Sequence, residues 1–236
     1  MTKKIEIEVE QRLVGKLERD DYYESPNEWG DTSVFLVFDH RQFQVDRPYF
    51  KPRDIYDYIN YPEIPLRDEF EDEGEFEDAV KDWEDNRLDY SEYYIFNLSA
   101  YIHGSVSLSL GREYPFNDRW DTSSTGFVLV SKKEVDFALQ RSSNEILLAK
   151  TDEEIAEHYA KNLVETWNTY LEGDVWTMSV ELQTVNVAND MIIDSEHLDS
   201  CGGYYGLEHA EEEMMSYIEY YKKENPEIKV VIKKTN

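Results

Sequence analysis

The sequence predicts an α+β fold: an antiparallel sheet with three to four helices packed on it, plus an acidic helical insertion. Three observations carry this. Short β-branched and aromatic runs fall in hairpin-like pairs, two long stretches show apolar stripes at helical spacing, and strands and helices do not alternate in a βαβ manner. A chain of 236 residues makes one large domain or two small ones. The expected division is N-terminal strands over 1–61, an acidic helical insertion or subdomain over 62–92, and the main α+β domain over 93–236.

Residues 4–10 (KIEIEVE) alternate strictly, with Ile5, Ile7 and Val9 on one face, and predict a half-buried strand. The run 33–39 (SVFLVFD) is too short for a helix and reads as another. Pro48, Pro52, Pro62 and Pro65 then punctuate the chain, leaving room for a short helix at Arg53–Ile59. Phe76, Val80 and Trp83 recur at helical spacing and predict a helix over about 75–86. Residues 92–110 read as two strands around Gly104, followed by a turn at 111–121, a strand at 125–131 and a short helix capped by Ser131. Thr151 opens the clearest helix, with the stripe Ile155, Tyr159, Leu163, Trp167 and Tyr170 and with Gly173 to end it. A strand at 175–188, a second short one including Met191–Ile193, a helix over 207–223 and an edge strand at 227–233 complete the chain. The stripe of that last helix is Leu207, Ala210, Met214, Ile218 and Tyr221.

The net charge of −28 is uneven. Residues 51–100 and 151–200 each carry −11, whereas 101–150 are neutral, so the centre reads as scaffold and the acid as surface. Direct binding to nucleic acid or to an anionic membrane is disfavoured at this charge. Aromatic residues make up 14% of the chain, which argues against disorder. No apolar run approaches a membrane span, the N-terminus lacks a secretory h-region, and the single cysteine fits a reducing compartment. The expectation is a cytoplasmic protein.

Motifs for chemistry are sparse. Neither G-x-x-x-x-G-K-[ST] nor G-x-G-x-x-G occurs, so no nucleotide cofactor is expected. Glu69, Glu71 and Glu73 fit positions 1, 3 and 5 of a calcium loop, but Val80 at position 12 cannot supply the bidentate carboxylate. His197, Asp199, Cys201 and His209 form the densest ligand set, in a spacing that matches no standard zinc pattern, and no metal is expected. Weak catalytic candidates are His103, Cys201 and the pair Asp118 and Asp121, which can do acid–base work or simply hold a turn. Cys201 beside two glycines reads as packed under a turn.

The segment 101–132 resembles a group of uncharacterised bacteriophage and mobile-element proteins. The matching positions are Tyr101, His103, Gly104, Trp120, Asp121, Thr122, Gly126, Phe127, Val128, Val130, Ser131 and Lys132. The blocks YLEGDVW (170–176) and DSCGGYYG (199–206) resemble the same group. The pattern has a bulky aromatic residue after the cysteine where Gly202 stands here. The resemblance covers about 40% of the chain and implies a viral origin, a bacterial host and a shared core, with no assigned activity.

Within that frame the acid predicts a DNA mimic. Residues 63–92 hold 14 acids in 30 positions. If mostly helical, they span ~45 Å with one carboxylate per ~3.2 Å, near the ~3.4 Å spacing of one phosphate strand. The predicted contact residues are Asp68, Glu69, Glu71, Asp72, Glu73, Glu75, Glu77, Asp78, Asp82, Glu84 and Asp85, helped by 152–157 and 208–213. The expected partner is a basic, DNA-binding host protein of defence or DNA processing. A solvated surface without mimicry, an enzyme built on His103, Asp118, Asp121 and Cys201, and a virion scaffold are the competing readings.

Overall fold

The computed structural model describes residues 8–30, 33–60, 65–86, 90–111, 120–141, 149–223 and 225–235, the side chains of 60, 82 and 84–86 excepted. In chain order these form β1 (Val9–Arg19), β2 (Val34–His40), β3 (Phe43–Val45), α1 (Pro52–Asn60), α2 (Glu73–Asn86), β4 (Tyr93–Ile102), β5 (Val106–Leu110), β6 (Thr122–Ser131) and α3 (Lys132–Arg141). Then follow α4 (Asp152–Leu171), β7 (Val175–Asn186), β8 (Met191–Tyr205), α5 (Leu207–Lys222) and β9 (Lys229–Thr235). The fold class is α+β, with two mainly antiparallel sheets rather than one. The chain divides into two compact units, residues 1–26 with 169–236, and residues 27–168.

The smaller unit carries the sheet β8-β7-β1-β9, in which β9 runs parallel to β1 at one edge and every other pair is antiparallel. Helix α5 lies on it. Leu13 and Leu17 of β1, Trp176, Met178 and Val180 of β7, and Ala210, Met214 and Ile218 of α5 make the core. Gly15 sits among them because a Cβ there would come within 2.6 Å of Met214 Sδ and 2.9 Å of Ile218 Cδ1. The strand expected at 4–10 falls largely on residues 1–7, outside the described residues. The strand that forms, β1, carries Arg12 and Lys16 on the face turned away from α5. They are held there by partners on β7 and the β7–β8 turn. Arg12, with a side chain 7% exposed, donates to Asp190 at 2.7 Å and Gln183 at 3.3 Å, and Lys16 pairs with Glu181.

β8 is far longer than the three residues expected. Its pairing with β7 carries three bulges, near Leu198, Ile193 and the Gly202–Gly203 pair, and each adds one residue on β8. Cys201 is therefore not packed under a turn. It is exposed on this edge strand.

The larger unit carries the sheet β3-β2-β6-β4-β5, with α1 and α3 against β6. Phe35, Val37, Ile55, Tyr90, Phe127 and Leu129 form one core layer, closed by Phe50, Tyr58 and Tyr93. Phe35 and Phe50 meet edge-on at 4.7 Å and Tyr58 and Tyr90 at 5.1 Å. Gly126 of β6 is required because a Cβ would lie 2.2 Å from a ring carbon of Phe38. Thr151 and Glu154 cap the start of α4 reciprocally: Glu154 N–H donates to Thr151 Oγ1 (3.3 Å) and Thr151 N–H to Glu154 Oε2 (2.7 Å). The buried face of α4 is Ile155, Ala156, Ala160, Val164 and Trp167. The expected stripe shared only Ile155 and Trp167, since small alanines rather than Tyr159 and Leu163 take the deepest positions. Asn168 completes the anchor, accepting from the Leu108 N–H at 2.7 Å and donating to its carbonyl at 2.9 Å. It takes the place of a missing neighbour strand at the edge of β5. No described helix is long and apolar enough to cross a membrane.

Candidate functional site

The predicted acidic contact falls on a 3-10 turn at Arg67–Glu69 and on α2. Helix α2 has 14 residues and spans about 21 Å, less than half the ~45 Å a fully helical 63–92 segment gives. Seven of the eleven carboxylates lie within it, one per about 3 Å of axis.

Three of the eleven are committed locally. Asp72 caps α2 by accepting from Gly74 N–H at 2.6 Å and from Glu75 N–H at 3.4 Å. Glu69 accepts from Leu66 N–H at 3.3 Å. Glu73 pairs with Arg67 at 2.8 Å, while the same guanidinium lies 5.9 Å from the Phe76 ring, which in turn lies 5.9 Å from Phe70. That small cluster fixes the turn to the helix.

Asp68, Glu71, Glu75, Glu77 and Asp78 are exposed and have no ion-pair partner among the described residues. Asp82, Glu84 and Asp85 stand in α2, and their side chains lie outside the described residues. At about 100° per residue, Glu75, Glu77 and Asp78 spread over roughly 160° of the helix circumference, opposite the half-buried Phe76, Val80 and Trp83. The acid forms a broad half-cylinder rather than a narrow ribbon. It is also shared between the units. The smaller carries 21 acids against 10 bases and the larger 31 against 14, net −11 and −17.

The weak catalytic candidates are dispersed. In the larger unit, the β4–β5 hairpin end and the start of β6 bring His103 Nδ1 to 2.8 Å from Asp121 Oδ2. His103 is 70% exposed and Asp121 31%. The arrangement matches a base and its orienting carboxylate, but no nucleophile is hydrogen-bonded to the ring among the described residues. The adjoining hollow, between His40, Arg41, Trp120 and Ser123, has a volume of about 90 Å³, well below the ~300 Å³ lower end of ligand pockets. Trp120 is 96% exposed. Asp118 lies outside the described residues. Cys201 belongs to the smaller unit, where its thiol donates to the Gly202 carbonyl at 3.6 Å. Burial, then Cys201, pushes the Tyr204 hydroxyl well above its ordinary value. His197, Asp199, Cys201 and His209 do not gather, and no group of three or more metal-type ligands occurs among the described residues.

Two polar arrangements had no signal in the sequence. Asp20 Oδ2 accepts from Gly203 N–H at 3.0 Å and from Thr177 Oγ1 at 3.1 Å, while Oδ1 accepts from Tyr22 N–H at 3.0 Å. A Cβ on Gly202 would lie 2.7 Å from that Oδ2, which accounts for glycine after the cysteine. Glu181 joins Lys16, Gln183 (2.9 Å) and Ser195 (3.1 Å). The Lys16 ammonium holds its carboxyl well below the ordinary range, at about 2. Both arrangements tie strands together through partners more than a dozen residues apart. Neither lines a hollow among the described residues, and what both do there is hold strands together. Comparison with protein-family models, curated proteins and solved structures returns no match to this chain.

Proposed function

We propose that the protein is an acidic inhibitor whose 68–85 face occupies the DNA-binding cleft of a basic host protein. The observation that carries this reading is the set of exposed carboxylates, Asp68, Glu71, Glu75, Glu77 and Asp78, left without cation partners among the described residues. Uncompensated like charge on one helix destabilises it slightly. An opposite surface that neutralises it recovers that cost and accelerates encounter. The half-cylinder distribution suits a cleft with basic side chains on both walls.

The test is competition. A fluorescent duplex is bound in turn to several purified restriction nucleases and nucleoid proteins, and the protein is titrated in. Stoichiometric displacement from at least one of them is expected, weakening steeply between about 50 and 200 mM salt. The Glu75→Lys, Glu77→Lys, Asp78→Lys variant loses at least about tenfold, while His103→Ala displaces as well as the parent. Failure to displace duplex from any of them at low salt, or undiminished displacement by the reversed variant, refutes the proposal. Loss of function with His103→Ala instead moves the site to the His103–Asp121 pair.

A further inference from the structure

In the smaller unit one face of α5 meets β8 around a tyrosine-rich hollow. Its walls are Tyr217, Tyr220, Tyr221 and Ser216 together with Asp199 and Glu213, and its volume is about 380 Å³. That is the size of a small-ligand site, roughly 300–1,000 Å³. Helical spacing builds it: 217 follows 213 by four, 220 and 221 follow 217 by three and four, and all four line one side of α5. Tyr220 and Tyr221 stand edge to face, with centroids 5.4 Å apart at 80°. The Tyr221 hydroxyl donates to the Leu198 carbonyl at 3.2 Å, fixing that ring against the sheet.

The hollow is electron-rich. Burial pushes the Tyr221 hydroxyl up, and the Asp199 carboxylate, then the Tyr220 and Tyr217 hydroxyls, push it further. Asp199 and Glu213 have no ion-pair partner among the described residues. Ring faces carry negative quadrupole charge, and aromatic walls beside free carboxylates select a cation. A second hollow on the same helix, lined by Glu208, Glu212 and Glu219 and by Glu211, which Lys234 pairs, extends the negative potential at the rim through the other three carboxylates. One internal cation already uses the site's edge, since Lys223 Nζ lies 5.7 Å from the Tyr220 ring centroid.

Among cations, guanidinium suits these walls best. It is planar and weakly hydrated, stacks on an aromatic face, and offers a fork of N–H donors to a carboxylate. A lysine ammonium is compact and more strongly hydrated. We propose that this hollow receives an arginine side chain of a basic partner. The identity of that partner rests on the function proposed above, whereas the chemistry of the hollow is testable alone.

The experiment titrates N-acetyl-arginine amide, N-acetyl-lysine amide and N-acetyl-citrulline amide into the full chain and follows tyrosine ring resonances by NMR. The arginine probe is expected to shift Tyr217, Tyr220 and Tyr221, the lysine probe to bind more weakly, and the neutral citrulline probe to leave them unmoved. Tyr220 is 65% exposed, so Tyr220→Leu keeps the fold. Tyr220→Leu and Asp199→Asn are each expected to weaken the arginine probe about two- to fivefold. Lys223→Gln strengthens it, because it removes the resident cation. Equal binding of citrulline, equal binding of lysine, or unchanged affinity in both Tyr220→Leu and Asp199→Asn overturns the proposal. Reversal of Glu75, Glu77 and Asp78, in the other unit, leaves probe binding unchanged, so failure of the acidic-face reading and failure of this one are separate results.

Discussion

Gly202 and Asp20 lie 182 positions apart in the chain and are mutually exclusive with any larger residue at 202. In Gly202→Ala the new methyl would sit 2.7 Å from Asp20 Oδ2 and 2.9 Å from Thr177 Oγ1. The carboxylate is the end of a short, flexible side chain, so the clash itself is relieved by its swinging away. The cost is the pair of hydrogen bonds that Oδ2 then abandons, to Gly203 N–H and Thr177 Oγ1. At about 0.5–1.5 kcal/mol each, Gly202→Ala loses about 1–3 kcal/mol. Asp20→Ala loses a similar amount through the same two bonds and the one from Tyr22. In the double variant the methyl has no carboxylate to displace, so the second substitution adds little and the coupling energy is about 1–2 kcal/mol. Urea unfolding followed by circular dichroism gives the four stabilities, and amide exchange at Gly203 accelerates in either single variant. Burial pushes the Asp20 carboxyl up, but the bonds from Tyr22, Gly203 and Thr177 outweigh it and leave its pKa below the ordinary 3.8. Its contribution is therefore present above that pH and fades on acidification. Losses that add to within about 0.5 kcal/mol would refute the contact and the reason given for glycine at this position.

Two further outcomes follow from the polar anchors. Asn168→Leu leaves the Leu108 N–H and carbonyl at the β5 edge without their partner and is expected to cost about 1–3 kcal/mol, measured by the same unfolding assay. Glu181 has a folded pKa lowered from 4.5 to about 2, so its contribution is complete above pH 4.5 and is lost as the pH falls toward 2. Glu181→Gln flattens the stability profile across that window relative to the parent, as an acid titration at fixed urea will read.

What could be read from the chain divides along a physical line. Elements that answer to local signals were legible: α2, α4 and α5 from their apolar spacing, α1 from the prolines around it, α4 also from the Thr151–Glu154 cap, β2 and β6 from β-branched runs, and β9 as an edge. β1 and β8 were not. β1 needs glycine at its centre to admit Met214 and Ile218, and it carries Arg12 and Lys16 on its second face, where Gln183, Asp190 and Glu181 neutralise them. No window of sequence contains those partners. β8 fails for another reason. Each of its three bulges shifts the two-residue alternation by one, so MIIDSEHLDSCGGYY shows no period, although it pairs along the whole of β7. The bulges with the charges Asp194, Glu196 and Asp199 also protect an exposed edge from pairing with another chain. The same features that hide the strand from a periodicity reading therefore keep it from aggregating.

The acidic face is the converse case. Carboxylate density is visible in composition, but density is not availability. Glu69, Asp72 and Glu73 resemble their neighbours in sequence, yet each is spent on a turn, a helix cap or the Arg67 pair. Glu75, Glu77 and Asp78 keep their charge for solvent or a partner only because the cap at Asp72 starts the helix where it does. From that start the 100° step per residue carries Phe76, Val80 and Trp83 to the side turned away from them. Without the cap the first turn frays, and Glu75 and Glu77 lose their fixed direction. A docking function for this face therefore depends on Asp72, a residue that makes no outward contact. Asp72→Ala should weaken partner binding through frayed helix geometry, and Asp72→Asn, which keeps an N-cap acceptor, should restore it despite carrying one negative charge fewer.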